Sequence, residues 1–162
     1  MRVTDLIRYN DKVRELFFDA MVKLPWCEVS ANKGLSFDSM RNVFLHLTVV
    51  EDRWISYIIP GRFKEWRDPD FDAYYDMDSL KRNMDAVHNR TEVYLSKFTP
   101  EESTRLVAVH WGGKEDLIPV EGGLTHMVLE DMIHYGELSA ALWQMGLEAP
   151  YWGFWRTQIK TP

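Results

Sequence analysis

Between Leu124 and Gly146 the polar residues His126, Glu130, His134 and Glu137 recur at spacings of four, four and three, with leucine, methionine, valine and isoleucine at most positions between them. At roughly 100° per residue these four side chains fall within about 80° of one another on a helix. Met127, Val128, Leu129, Met132, Leu138 and Leu142 spread around the remaining circumference. A helix that apolar on every other side is predicted to lie inside a bundle of helices. Imidazoles and carboxylates are costly to bury unless they are hydrogen-bonded, paired or coordinated, so the stripe points to a metal ion or a closed polar network.

The rest of the chain supplies partners for such a helix. Thr4 can cap a first helix that carries Leu6, Val13, Phe17, Ala20 and Leu24 on one face until Pro25 stops it. A second helix is expected from Ser36 or Asp38, running through Val43, Phe44, Leu47, Val50, Trp54 and Ile58 to Pro60-Gly61, with His46 in its middle. Arg62 to Asp76 has no clear period and reads as a long irregular segment over one end. A third helix spans about Asp78 to Phe98, and Pro100 breaks it. Leu106-Val107-Ala108-Val109 and Leu117-Ile118 flank Gly112-Gly113 as a small hairpin or extended crossover. The expectation is an all-α fold: an antiparallel-type four-helix bundle with a short extended crossover before the last long helix.

A chain of 162 residues suits a single domain, 1–162, that needs no disulfide or structural zinc. The lone cysteine, Cys27, excludes an intramolecular disulfide and fits a reducing, cytoplasmic setting; it reads as a buried small residue rather than a nucleophile. No secretion signal and no stretch of ~20 apolar residues is evident, so no membrane partner is expected. A formal charge of −6 argues against nucleic acid. Several of the seven tryptophans lie near the end, in Tyr151-Trp152-Gly153-Phe154-Trp155, which suits packing of the tail or a homodimer contact. His88 and His110 read as surface residues, and Glu51-Asp52 and Glu101-Glu102 as solvated faces.

Glu130 and His134 stand one helical turn apart, about 6 Å, a spacing at which two side chains can share an ion. His126 and His134 are separated by about 12 Å along the axis, so His126 is a neighbour of the site rather than a ligand. A third ligand must come from another helix, and His46 is the candidate. The alternatives are a hydrogen-bonded core histidine at His46 and a salt bridge from Glu130 to Arg53 or Arg14.

With those residues in place the chain resembles the DinB-like (damage-inducible) family, related to bacillithiol- and mycothiol-dependent S-transferases. The resemblance rests on Tyr9-Asn10, on His46 followed by Trp54, and on His126-Met-Val-Leu-Glu130-Asp-Met-Ile-His134-Tyr-Gly136-Glu137, in order and with the expected gaps. Family members generally carry three histidines at the positions of His46, Glu130 and His134, the last followed by Arg-Gly-Gln. Here Glu130 replaces the middle histidine, Tyr135 the arginine and Glu137 the glutamine, while Gly136 is retained. The resemblance implies a divalent metal, with zinc, nickel, manganese and iron all compatible with two imidazoles and a carboxylate. It further implies a low-molecular-weight thiol, deprotonated by that metal, attacking an electrophilic small molecule in detoxification or stress response. Glu137 would orient a ligating histidine from behind. The alternatives are a metal-binding protein without turnover, or a small-molecule-binding or interaction bundle whose stripe is closed by arginines.

Overall fold

A computed structural model of the chain describes residues 2–154. About 65% is helical, in six α-helices among the described residues, with one two-stranded sheet. The long helices are α1 (Val3–Met21), α3 (Met40–Arg53), α4 (Met77–Leu95) and α6 (Val120–Gln144); α2 (Trp26–Ser30) and α5 (Pro100–Thr104) are single turns. The hairpin or extended crossover expected around Gly112-Gly113 is present as β1 (Leu106–Trp111) and β2 (Lys114–Pro119), so the fold is mostly helical with a small sheet rather than strictly all-α. The hairpin turn is Gly112-Gly113, both at positive φ, a backbone that side chains rarely adopt and that matches the twist of a two-residue hairpin.

Cross-helix pairs set the directions of the long helices. Arg14 meets Glu51 and Phe18 meets Phe44, so α1 and α3 run antiparallel. His46 faces Glu130 while Trp54 faces Gly123, so α3 and α6 are antiparallel too. Asn83 donates to Thr48 at 2.7 Å and Thr91 donates to Glu51, which makes α3 and α4 parallel. A parallel pair needs a connection that travels back along the bundle. That is the physical role of the aperiodic segment between them, which carries only two short 3₁₀ turns, Phe63–Glu65 and Phe71–Ala73.

The core forms two clusters along the bundle, one around Phe17, Phe44, Leu80 and Tyr135, the other around Ile7, Trp54, Val120 and Leu124. α6 begins a turn earlier than its sequence suggests, taking in Gly122 and Gly123, which disfavour helix interiors by about 1 kcal/mol each. Packing overrides propensity there, because a Cβ on Gly123 would stand 2.4 Å from the Trp54 ring. The same tryptophan opens a π-helical turn, Trp54–Ile58, that prolongs α3. α6 is not buried on all sides. Leu129, Ile133 and Trp143 are each more than half exposed along one face, contrary to the expectation from its apolar circumference.

A candidate metal centre between α3 and α6

α3 buries Val43, Phe44, Leu47 and Val50 and leaves Asn42, His46, Val49 and Arg53 half-buried along one line. His46 thus looks out of the core toward the polar stripe of α6. His46, Glu130 and His134 each bring one donor atom to within 4.8 Å of the others, so the group could hold a metal ion. His46 Nε2 lies 3.3 Å from Glu130 Oε1, and the two imidazole rings meet edge-on at 4.8 Å between centroids.

His134 is poised by a chain of contacts behind it. Its Nδ1 sits 2.7 Å from Glu137 Oε2. An ionised carboxylate only accepts, so Nδ1 carries the proton and the lone pair on Nε2 is left for another partner. Glu137 is itself held by Ser36, whose backbone N–H donates to Oε1 at 3.1 Å and whose hydroxyl donates to Oε2 at 2.8 Å. Burial pushes the Glu137 carboxyl upward, but the hydrogen bonds from His134 and Ser36 outweigh it and hold the group below its ordinary range. Glu130 is also held down, first by its hydrogen bond with His46, against the opposing effect of burial, and then by the charges of His46, His126 and His134. Both carboxylates are thereby kept in the ionised form a cation needs.

Phe37 stacks on His46 at 4.1 Å and meets His134 edge-on at 5.6 Å, covering one side of the group with hydrocarbon. Neither Ser36 nor Phe37 stood out in the sequence, where Ser36 reads as a helix cap. The cap is Ser39, which accepts from Asn42 N–H at 3.2 Å, while Asp38 is held at φ +66° in the preceding turn. That shift of the helix start frees Ser36 to reach Glu137. The only signal in the sequence was the polar Asn32-Lys33-Gly34 turn, which does not specify where the next side chains point.

His126 does not join the three. It is largely exposed, with Nε2 3.5 Å from Glu130 Oε2 and its ring 6.2 Å from that of Trp54. Among the described residues no arginine pairs with Glu130 or Glu137. Arg14 turns instead to the far side of α6, where Nη2 pairs with Asp131 at 3.0 Å and Nη1 with Glu51 at 2.5 Å, all three fully buried. Glu51 is thus a buried ion-pair partner and not a solvated acid. Asn10 donates to Asp131 at 2.6 Å, and the buried Tyr135 donates to the Asn10 carbonyl at 3.3 Å. Asp131 is pushed up to about 6 by burial, which outweighs Arg14 and Asn10; Asp11 also rises to about 6, chiefly by burial, with the Glu51 charge adding.

The model of the DinB family matches residues 1–159. The chain belongs to the DinB family. No curated protein matches it. In this DinB chain the Tyr9-Asn10 pair has a structural purpose: the Tyr9 hydroxyl meets the Trp152 carbonyl, and Asn10 ties α1 to the residue next to Glu130. Tyr135, at the arginine position of the family motif, lies flat on Phe17 at 5.0 Å in the core. His110 pairs with Glu115 at the surface, whereas the half-buried His88 pairs with the buried Asp11. Cys27 is exposed, correcting its expected burial. Trp152 packs 6.1 Å from the Tyr135 ring, whereas Trp155 lies outside the described residues. Among the described residues no helix is long and apolar enough to cross a membrane.

Proposed function

We propose that this DinB protein is a divalent-metal-dependent enzyme in which His46, Glu130 and His134 hold the ion, and that it transfers a low-molecular-weight thiol to an electrophilic small molecule. The observation that carries the proposal is the prepared lone pair on His134: Ser36 fixes Glu137, Glu137 fixes the Nδ1 proton, and the unprotonated Nε2 belongs to a side chain gathered with His46 and Glu130. The donor set fits a cation, because two neutral imidazoles and one carboxylate supply three ligands of the kind zinc, iron, nickel and manganese accept, with room for exogenous ligands. When bound, such a cation would supply Lewis acidity that lowers the pKa of a thiol.

The chain's own residues would do the rest. His46 would turn a ring-nitrogen lone pair to the ion in place of its present contact with Glu130. Phe37 excludes water from one side of the imidazoles. Glu130, with its second oxygen toward His126, can receive a proton from an incoming thiol and pass it to the exposed imidazole. We further propose the four long helices as a single four-helix bundle domain of the DinB type, acting in the cytoplasm in detoxification or stress response. The half-exposed Leu129, Ile133 and Trp143 support a homodimer, since they extend one apolar face of α6 beside the metal centre.

Elemental analysis of protein purified without chelator or affinity metal tests the proposal, alongside His46→Ala and Glu130→Ala variants prepared identically. Near-stoichiometric divalent metal in the wild type, lost in both variants, is expected, followed by thiol consumption against a panel of electrophiles. A wild type that carries no metal and takes up no added zinc, nickel, manganese or ferrous ion would reduce the three side chains to a closed polar network. A metal-loaded protein with no exchangeable coordination position would leave binding without turnover.

A further inference from the structure

Three arginines among the described residues are withdrawn from the exposed surface, Arg14, Arg41 and Arg53. Arg14 is paired as above, and Arg41 bonds Asn42 and Asp72. Arg53 has no partner among the described residues: its Nε is shut off from water without a hydrogen bond, and no carboxylate lies within ion-pair distance. The chain has 25 acidic residues against 19 lysines and arginines, so a lone half-buried guanidinium is not explained by a shortage of anions.

Its position suggests the missing partner. Arg53 is seven residues beyond His46 on α3, two turns or about 10.5 Å along the axis and within about 20° of the same line. Its neighbour Trp54 packs against Gly123 and faces His126. Arg53 therefore stands at the end of the row that runs from Glu137 through the three donor side chains to His126. A guanidinium presents a planar fork of donors that matches a carboxylate bidentately; only Nε of Arg53 is closed off from water, so its two terminal nitrogens remain open to a ligand.

We propose that Arg53 anchors a carboxylate on the thiol this protein uses, so that anionic thiols are selected over neutral ones of equal size. The inference rests on the metal-thiol reading above and adds the substrate class to it. Cobalt(II)-loaded protein tests it, because thiolate coordination to cobalt produces a charge-transfer absorption that can be titrated. The probes are 3-mercaptopropionate and the neutral 2-mercaptoethanol. In the wild type the acid should bind roughly 10-fold more tightly. Arg53→Met should bring the two affinities level without moving the neutral thiol, and Arg53→Lys, which keeps the charge but not the fork, should fall between. Cobalt stoichiometry and circular dichroism show that each variant is folded; if Arg53→Met is not, the lysine variant carries the comparison. Equal affinities in the wild type, or a preference that survives in Arg53→Met or is undiminished in Arg53→Lys, overturn the Arg53 proposal and leave the metal reading standing. A wild type that takes up no cobalt overturns both.

Discussion

Replacing Arg14 with methionine is the perturbation whose outcome the structure constrains most tightly. The guanidinium is 1% exposed and lies 2.5 Å from Glu51 and 3.0 Å from Asp131, whose side chains are both 0% exposed. Methionine fills much of the volume but leaves two buried acids facing no cation. Breaking a buried pair in this way costs about 3–5 kcal/mol. For a chain of this length each kcal/mol moves the melting midpoint by about 2–4 °C, so a drop of about 10 °C is expected. The pH dependence follows from the same groups. Asp131 and Asp11 have folded pKa values of about 6, above the ordinary 3.8. An acid whose folded value is raised favours folding when protonated, so its contribution is present below about pH 4 and is lost as pH rises through 6. Without Arg14 the buried acids are still easier to bury as neutral groups, and the deficit of Arg14→Met should shrink by at least about 1 kcal/mol from pH 7 to pH 5. Urea titrations at both pH values measure this, given equal m-values. A deficit under 1 kcal/mol at pH 7, or one that does not change at pH 5, would refute the account of this cluster.

Three further outcomes are expected. Glu137→Ala should weaken zinc binding about 10–100-fold by calorimetry, and Ser36→Ala should weaken it several-fold, because each removes support from the Nδ1 proton of His134; unchanged affinities would show that His134 needs no orientation. Gly123→Ala should destabilise the protein by about 1–3 kcal/mol in urea despite alanine's better helix propensity, since its methyl meets Trp54; a gain in stability would mean the indole moves aside freely. Zinc at about 100 times its dissociation constant should stabilise the wild type by about 2.7 kcal/mol and the His46→Ala variant far less, read as melting shifts reversed by chelator; equal shifts would place the ion elsewhere.

The periodicities of the chain carried most of the helical framework. His46, Glu130 and His134 could be proposed together from the pattern because two of them share one helix turn and the third sits amid Val43, Phe44, Leu45 and Leu47 in another helix. What periodicity does not encode is direction. The parallel pairing of α3 and α4 depends on a connecting segment whose pattern says only that it is irregular. Gly122 and Gly123 precede the stripe that begins at Leu124, yet they lie within α6, where Trp54 packs against Gly123. Arg14 looked like a partner for Glu130, but one position along the helix turns a side chain by about 100°, which carries the contact to Asp131. Ser36 and Phe37 reach the centre from a turn shaped by Asp38 at φ +66°, information that is conformational rather than compositional.

The two sides of the candidate centre come from parts of the chain that are 84 positions apart. A ligand held by His46 on one side and Glu130 and His134 on the other would therefore act as a reversible crosslink. By the loop-entropy relation used for disulfides, closing a loop of that length restricts the unfolded chain by about 4–5 kcal/mol at 25 °C. In a protein whose exposed Cys27 has no second cysteine to join, occupancy of the centre would take the place of a covalent staple. Ion loss would then loosen the fold as well as stop the chemistry, and the lifetime of the folded chain would follow the availability of the ion.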